Sequence, residues 1–164
     1  MKTIFLLRHA KSSWKDPSLA DFDRPLNSRG RKAAELIGGF IRREKIIPDL
    51  VLSSPAVRAR ETIEIVMKSA KLPSELRYDQ RIYEAGPLRL LEVISQIEED
   101  KTSVVLVGHN PGMEELLQVL TGRVERLSTG NLGKISLGTT KWSKTADKKG
   151  TLDWLIKPIE LEKS

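Results

Sequence analysis

The 164-residue sequence predicts an α/β fold, a three-layer α/β/α sandwich with a largely parallel central sheet. Short apolar runs typical of buried strands alternate with amphipathic segments as far as residue 120. Two further strand-like runs then close the chain as a C-terminal hairpin. No repeat, low-complexity tract or linker divides the sequence, so we expect a single domain over residues 1–164.

The strands before the hairpin are predicted from apolar runs, most of them continuous, as expected for strands buried on both faces. In chain order they are TIFLL at 3–7, DLVLSS at 49–54, the start of ELRYDQRIYEAG at 75–86, and SVVLVG at 103–108. The hairpin strands are GKISLGTT and TLDWLIKPIEL. We expect the basic connection between them, KWSKTADKKG at 141–150, to be exposed.

Helices are predicted where apolar residues recur at helical spacing. These segments are RKAAELIGGFIRRE, SSPAVRARETIEIVMKSA, PLRLLEVISQIEED and NPGMEELLQVLTG. Ser54 is predicted to cap the second helix, with Pro55 at its first position, where the missing N–H costs nothing. Asn110 is the corresponding cap for the fourth helix, with Pro111 behind it.

The composition of the chain indicates which class of partner it binds. The formal net charge is +6, from 28 basic and 22 acidic residues, which favours anionic partners over neutral ones. Nucleic acid is not expected, because no nucleic-acid-binding motif occurs and the chain holds only three Trp, two Tyr and three Phe. The chain has no cysteine, so disulfides and thiol catalysis are excluded.

No apolar stretch approaches the roughly 18 residues of a membrane span. The N-terminal run IFLL meets Arg8 at once and does not make a signal peptide. We therefore expect a cytoplasmic protein without membrane partners.

Polar residues capable of chemistry follow three of the predicted strands. Arg8 and His9 come directly after the first strand, Arg58 lies shortly beyond the second, and His109 follows SVVLVG. Ligands of open α/β sheets bind beyond the carboxyl ends of the strands. If these strands are neighbours, the two imidazoles and two guanidinium groups converge.

This set of groups suits phosphoryl transfer better than the other chemistries available. A metal site usually adds carboxylates or a third histidine, and arginines would oppose a divalent ion. A serine hydrolase of the G-x-S-x-G type lacks its motif here. Arginine binds phosphate oxygens bidentately, and neutral imidazole is a competent nucleophile toward phosphorus.

The motifs LLRHA, SSPAVRARET and VGHNPG together resemble the histidine phosphatase superfamily, in its order and spacing, with a phosphoglycerate mutase-like fold. The RHA variant, the DFDRPLNSRG segment and the small size are most similar to the SixA branch of phosphohistidine phosphatases. The resemblance implies that His9 is the phosphorylated nucleophile and that Arg8, Arg58 and His109 complete the phosphate pocket. It implies no metal and no organic cofactor.

A second segment, with Asp21, Arg24, Asn27 and Gly30, resembles the family pattern D-x-x-R-P-L-T-x-x-G. Arg24 is expected either to line the rim of the pocket or to form a surface ion pair with Asp21 or Asp23. Asn27 replaces the usual threonine, and we expect it to cap a helix.

Two further assignments are open at this stage. Ser12 and Trp14 lie in the loop after the nucleophile, and the sequence leaves open whether they contact the substrate. Glu84 stands where many family members place the general acid, and the alternative is an exposed loop carboxylate. A phosphoamidate leaving group departs readily once protonated, so a phosphohistidine phosphatase depends less on such an acid.

The resulting hypothesis is a metal-independent phosphatase that works through a covalent phosphohistidine. Short connections between the motifs favour an open site, and hence phosphohistidine on a protein, such as a signalling or phosphotransfer protein. The alternatives are a phosphomonoesterase acting on small metabolites or phosphoserine proteins, and a non-catalytic phosphate-binding module. Since His9 must be neutral to attack, activity should fall at acid pH.

Overall fold

Residues 1–162 are described by a computed structural model, in which six strands form one mixed sheet. The strands are β1 (Thr3–Arg8), β2 (Leu50–Ser53), β3 (Glu75–Tyr78), β4 (Ser103–Gly108), β5 (Leu132–Ser136) and β6 (Thr151–Ile156). Their order is β3-β2-β4-β1-β5-β6. The first four are parallel, and β5 and β6 add an antiparallel hairpin. This confirms the predicted α/β fold and its largely parallel sheet.

Helices cover both faces of the sheet, and each face has its own apolar core. The helices are α1 (Ser28–Arg43), α2 (Val57–Ala70), α3 (Pro87–Ser95), α4 (Gly112–Thr121) and α5 (Pro158–Leu161). Alternate residues of β1 pack into the two cores: Leu7 packs under α1 and α2, and Leu6 packs under α3 and α4. This double burial explains why the strand is a continuous apolar run. No helix in residues 1–162 is long and apolar enough to span a membrane.

The predicted cap of the second helix is wrong. Helix α2 begins at Val57, and Ala56 is the residue before it, without a side-chain cap. Ser54 lies outside the helix, where its hydroxyl accepts a hydrogen bond from the Ala56 amide at 3.2 Å. The Ser54 hydroxyl forms its other hydrogen bond with the distant His109, and the local sequence does not indicate this contact.

The predicted cap of the fourth helix is also wrong. Helix α4 begins at Gly112, after Pro111, and Asn110 donates its side-chain amide to the Leu127 carbonyl at 2.7 Å. Asn110 therefore ties the start of α4 to the loop that precedes β5. A side chain at Gly112 would overlap the carbonyl oxygen of Ala85, so the helix start packs directly on backbone.

The segment before α1 follows its prediction. Asn27 caps the helix, with its Oδ1 accepting a hydrogen bond from the Gly30 amide at 2.8 Å. A Cβ at Gly30 would overlap the carbonyl oxygen of Lys11, which explains the glycine. The contact brings the loop after His9 onto the first turn of α1.

The connection at 141–150 is only partly exposed. Trp142 is buried, and its indole donates a hydrogen bond to the Lys101 carbonyl at 2.8 Å. The expectation of a wholly exposed connection is therefore wrong at this residue. Trp142 joins the core under α3 and α4, whereas its charged neighbours Lys141 and Lys144 remain in solvent.

Candidate active site

The central pair of parallel strands places the two histidines side by side. Arg8 pairs with Gly108 in the register of β1 and β4, so His9 and His109 are the next residues of neighbouring strands. Their ring centroids are 5.0 Å apart, and the His9 amide donates to the Gly108 carbonyl at 3.1 Å. The site therefore lies at the carboxyl edge of the parallel strands.

Backbone contacts orient the His9 imidazole. Its Nδ1 is 2.7 Å from the Ala10 carbonyl oxygen, which can only accept, so Nδ1 carries the proton and Nε2 keeps its lone pair. The Ala10 amide donates to Thr62 Oγ1 at 2.9 Å, and Thr62 donates to the Arg58 carbonyl at 2.7 Å. Helix α2 thus holds the backbone that sets the tautomer of His9.

Burial keeps both imidazoles neutral. His9 is 6% exposed, and its pKa falls from 6.5 to about 3 because of burial, with smaller effects of His109, Arg58 and Arg8. His109 is 9% exposed, and burial, followed by Arg58, lowers its pKa to about 4, although the Asp21 carboxylate acts in the opposite direction. At neutral pH the free protein holds two uncharged imidazoles beside two arginines.

Two nitrogen atoms of the site are buried without a hydrogen-bond partner among residues 1–162. They are His109 Nδ1 and Arg8 Nε. The Nε2 of His109 is 2.8 Å from the hydroxyl of Ser54, and Arg8 donates from its NH1 to the Leu127 carbonyl at 3.1 Å. Buried polar groups are normally paired, so these two atoms fit a site that receives a polar ligand.

Arg58 lies in the first turn of α2, and Asp21 holds its guanidinium group in place. Its NH1 donates to the Asp21 carbonyl at 2.7 Å and its NH2 to Asp21 Oδ2 at 3.0 Å. The Tyr83 hydroxyl donates to the same oxygen at 2.6 Å. This bond, followed by those from Arg58 and Arg24, lowers the pKa of Asp21 to about 2. Asp21 therefore orients Arg58 and offsets part of its charge.

Tyr83 is a feature that sequence reasoning missed. Its ring packs edge-on against His109 at 5.5 Å and against Phe22 at 5.0 Å between centroids. Burial and the Asp21 and Glu84 carboxylates raise its pKa, so the hydroxyl stays protonated and acts as a donor. The sequence did place this tyrosine beside Glu84, the candidate general acid. Its contact with Asp21 was missed because the two residues are 62 positions apart in the chain.

Arg24 forms the ion pair expected with Asp21, but from a buried position, whereas the Asp21 side chain is about half exposed. Its side chain is buried, with NH1 3.1 Å from Asp21 Oδ1, NH2 donating to Ser12 Oγ at 2.6 Å and Nε donating to the Ser13 carbonyl at 3.2 Å. Trp14, which is 77% exposed, covers the guanidinium group at 3.1 Å. Arg24 thus ties Asp21 to the loop after His9, in which Ser12 and Trp14 contact it.

Glu84 lies on the exposed loop between β3 and α3. Its backbone has a positive φ of 55°, which few residues other than glycine adopt. Its carboxylate is close enough to the neighbouring Tyr83 to help raise the pKa of that hydroxyl. Within residues 1–162, no group of three or more His, Asp or Glu is placed to hold a metal ion.

Comparisons with known proteins agree with this geometry. Residues 4–88 match the model of the histidine phosphatase superfamily (branch 1). The phosphohistidine phosphatase SixA of Escherichia coli is 26% identical over 163 residues, which cover 97% of this chain and 96% of that protein. An uncharacterized protein of Mycobacterium tuberculosis is 39% identical over 114 residues, or 70% of this chain and 69% of its own.

Among solved structures, a protein of Agrobacterium tumefaciens assigned as phosphohistidine phosphatase SixA has a TM-score of 0.83 and 30% identity. The match covers 96% of this chain and 98% of that one. The resemblance of the motifs and the phosphoglycerate mutase-like fold are confirmed. The chain belongs to the histidine phosphatase superfamily (branch 1), and is a hydrolase of that class with SixA proteins among its relatives.

Proposed function

We propose that this protein removes the phosphoryl group from phosphohistidine on a protein, through a covalent phosphohistidine at His9. The observation that carries the proposal is the bond between His9 Nδ1 and the Ala10 carbonyl oxygen. It leaves the Nε2 of a neutral imidazole unprotonated and able to attack, with His109, Arg58 and Arg8 near enough to lower the pKa of His9. A nucleophile that is neutral, buried and held in one tautomer meets the requirements of covalent catalysis.

The first step transfers the phosphoryl group to the enzyme. His9 Nε2 forms a bond to phosphorus while the bond from phosphorus to the leaving nitrogen breaks, and the leaving imidazole takes up a proton. Arg8 and Arg58 hold the phosphate oxygens. Because the arriving phosphate is anionic, it raises the pKa of His109, which can then donate a hydrogen bond to the developing charge.

The second step returns the enzyme to its starting state. Water attacks the phosphorus of phospho-His9, the bond to Nε2 breaks, and inorganic phosphate leaves. Glu84 is proposed to supply the proton in the first step and to accept one from water in the second. Its exposed position suits a group that exchanges protons with solvent.

The open surroundings of the site support a protein substrate. The connections from β2 to α2 and from β4 to α4 are residues 54–56 and 109–111, too short to cover the site. The SixA relatives are phosphohistidine phosphatases by name. These two connections therefore add no lid over the site, which supports access by a phosphorylated side chain on a protein, whereas the longer connection from β1 to α1, residues 9–27, packs beside the site through Asp21.

The test compares a phosphohistidine-bearing protein with p-nitrophenyl phosphate, for wild type and for His9→Ala. We expect His9→Ala to lose at least about 10³-fold in activity on both substrates, and Lys141→Ala, far from the site, to lose none. Wild type should act on the phosphohistidine protein with the higher kcat/KM. Equal kcat/KM values would favour a phosphomonoesterase, and full activity in His9→Ala would refute the nucleophile.

A further inference from the structure

A basic cavity of about 360 Å³ lies beside the candidate active site. It is formed by the loop after His9, the start of α1, the loop before β5 and the end of β6. The polar residues that line it are Lys11, Arg29, Ser128, Thr129, Asn131 and Lys157, and the one carboxylate among its lining residues is Glu162.

This basic cavity adjoins a second one of about 320 Å³ that contains Arg8. The two share the turn at 128–129 as a wall. Arg126 and Glu114 also line the second cavity, but Glu114 accepts a hydrogen bond from the Leu127 amide at 2.7 Å. The basic cavity therefore lies next to the cavity lined by Arg8, which we expect to bind phosphate.

Sheet topology explains why the cavities meet. Leu132, the first residue of β5, pairs with Leu7 of β1 and with Ile156 of β6. The start of β5 and the end of β6 therefore share the edge at which β1 ends. Neighbouring strands are about 4.8 Å apart, so Lys157, two strands away, lies roughly 10 Å from His9 along this edge.

The three cations that line the basic cavity form no ion pair, and its buried amide donor has no acceptor, among residues 1–162. None of Lys11, Arg29 and Lys157 forms an ion pair with another of residues 1–162, whereas Arg31, close to Arg29 in sequence, pairs with Glu61. Asn131 is 1% exposed, and its Nδ2 has no acceptor in the same range. A buried amide donor among cations suits an anionic acceptor.

We propose that this basic cavity binds a carboxylate side chain of the substrate protein, about three residues from the phosphorylated one. The proposal rests on the proposed function and adds to it a preference for acidic sequence. An extended chain advances about 3.3 Å per residue, so three residues span the roughly 10 Å between His9 and Lys157. Arginine at the start of α1 and lysine at the end of β6 then receive the carboxylate.

The test uses synthetic phosphopeptides with the phosphate on either histidine or serine. Aspartates or lysines occupy the third and fourth positions from it. Whichever phosphorylated residue wild type hydrolyses faster is used for the comparison. We expect wild type to prefer the aspartate peptide about tenfold in kcat/KM, mostly through KM, and to lose this preference at high salt.

The double variant Arg29→Gln/Lys157→Gln should abolish the preference while leaving p-nitrophenyl phosphate hydrolysis unchanged. The matched control is Arg43→Gln/Lys144→Gln, which removes the same charges at exposed positions. Arg43 is about 21 Å from Arg29 along α1, and the control should keep the preference.

A preference that survives in the Arg29/Lys157 variant, or that is lost equally in the control, would overturn the inference. So would a wild type indifferent to the flanking residues. If wild type hydrolyses only phosphoserine peptides, the proposed function fails, and the aspartate preference on those peptides still decides the docking inference.

Discussion

Replacing Thr62 with valine removes the hydroxyl that joins α2 to the backbone beside His9. That hydroxyl accepts from the Ala10 amide at 2.9 Å, and both residues are buried. Valine has nearly the same volume but offers no acceptor, so the amide is left unpaired at a cost of about 1–3 kcal/mol. A loss of about 2 kcal/mol lowers the Tm of a chain of this size by about 4–8 °C.

The same substitution should reduce catalysis, because Ala10 also holds the imidazole through its carbonyl oxygen. We expect kcat on p-nitrophenyl phosphate to fall between about 10- and 100-fold with a smaller change in KM. Thr62→Ser retains the hydroxyl and should stay near wild type in kcat. Denaturant unfolding and steady-state kinetics measure both effects. A valine variant with the stability and kcat of the serine variant would refute the role given to this hydroxyl.

Three further results are expected. In the unfolded chain the imidazoles take up protons below about pH 6.5, whereas in the folded protein the pKa is about 3 for His9 and about 4 for His109. The free energy of unfolding should therefore fall as the pH is lowered from 6.5 toward these values, by about 1.4 kcal/mol per pH unit for each imidazole. Urea unfolding at pH 7 and pH 5 measures this difference, and equal stabilities would contradict it. Glu84→Gln should slow hydrolysis of a phosphoserine ester, whose alkoxide leaving group must be protonated, more than hydrolysis of p-nitrophenyl phosphate, whose phenolate leaves without a proton, and an equal effect on both would argue against its role as the acid. Tyr83→Phe should raise the pKa of Asp21 from about 2 toward its ordinary value, measured by NMR titration of the carboxyl group, since the Tyr83 bond is the largest cause of the low value; an unchanged titration would contradict this.

The parts of the fold that the sequence predicted are those with a local signature. The run TIFLL predicts a doubly buried strand because its four apolar residues, 4–7, meet one core or the other, and β1 is that strand. Asn27 before a helix predicts a cap because the bond is made three residues away. The placement of His9 and His109 likewise follows from the ends of two apolar runs, once the strands are neighbours.

The parts that were missed depend on contacts between distant segments. Ser54 and Asn110 have the right residue type for caps, but their side chains bond instead to His109 and to the Leu127 carbonyl. Arg24 has the sequence of a surface arginine and is buried under Trp14. In each case the side chain contacts a distant segment instead of its local partner. The sequence pattern of a single segment does not indicate such a contact.

Locating the phosphoryl group on the enzyme during turnover tests the proposed mechanism most directly. Wild type mixed with substrate is quenched in alkali, in which phosphohistidine survives, and the modified residue and ring nitrogen are determined by mass spectrometry and phosphorus NMR. We predict phosphate on Nε2 of His9, because Nδ1 is bonded to the Ala10 carbonyl oxygen. Phosphate on His9 Nδ1 or on His109, or hydrolysis with no phosphorylated enzyme under burst conditions, would contradict the account.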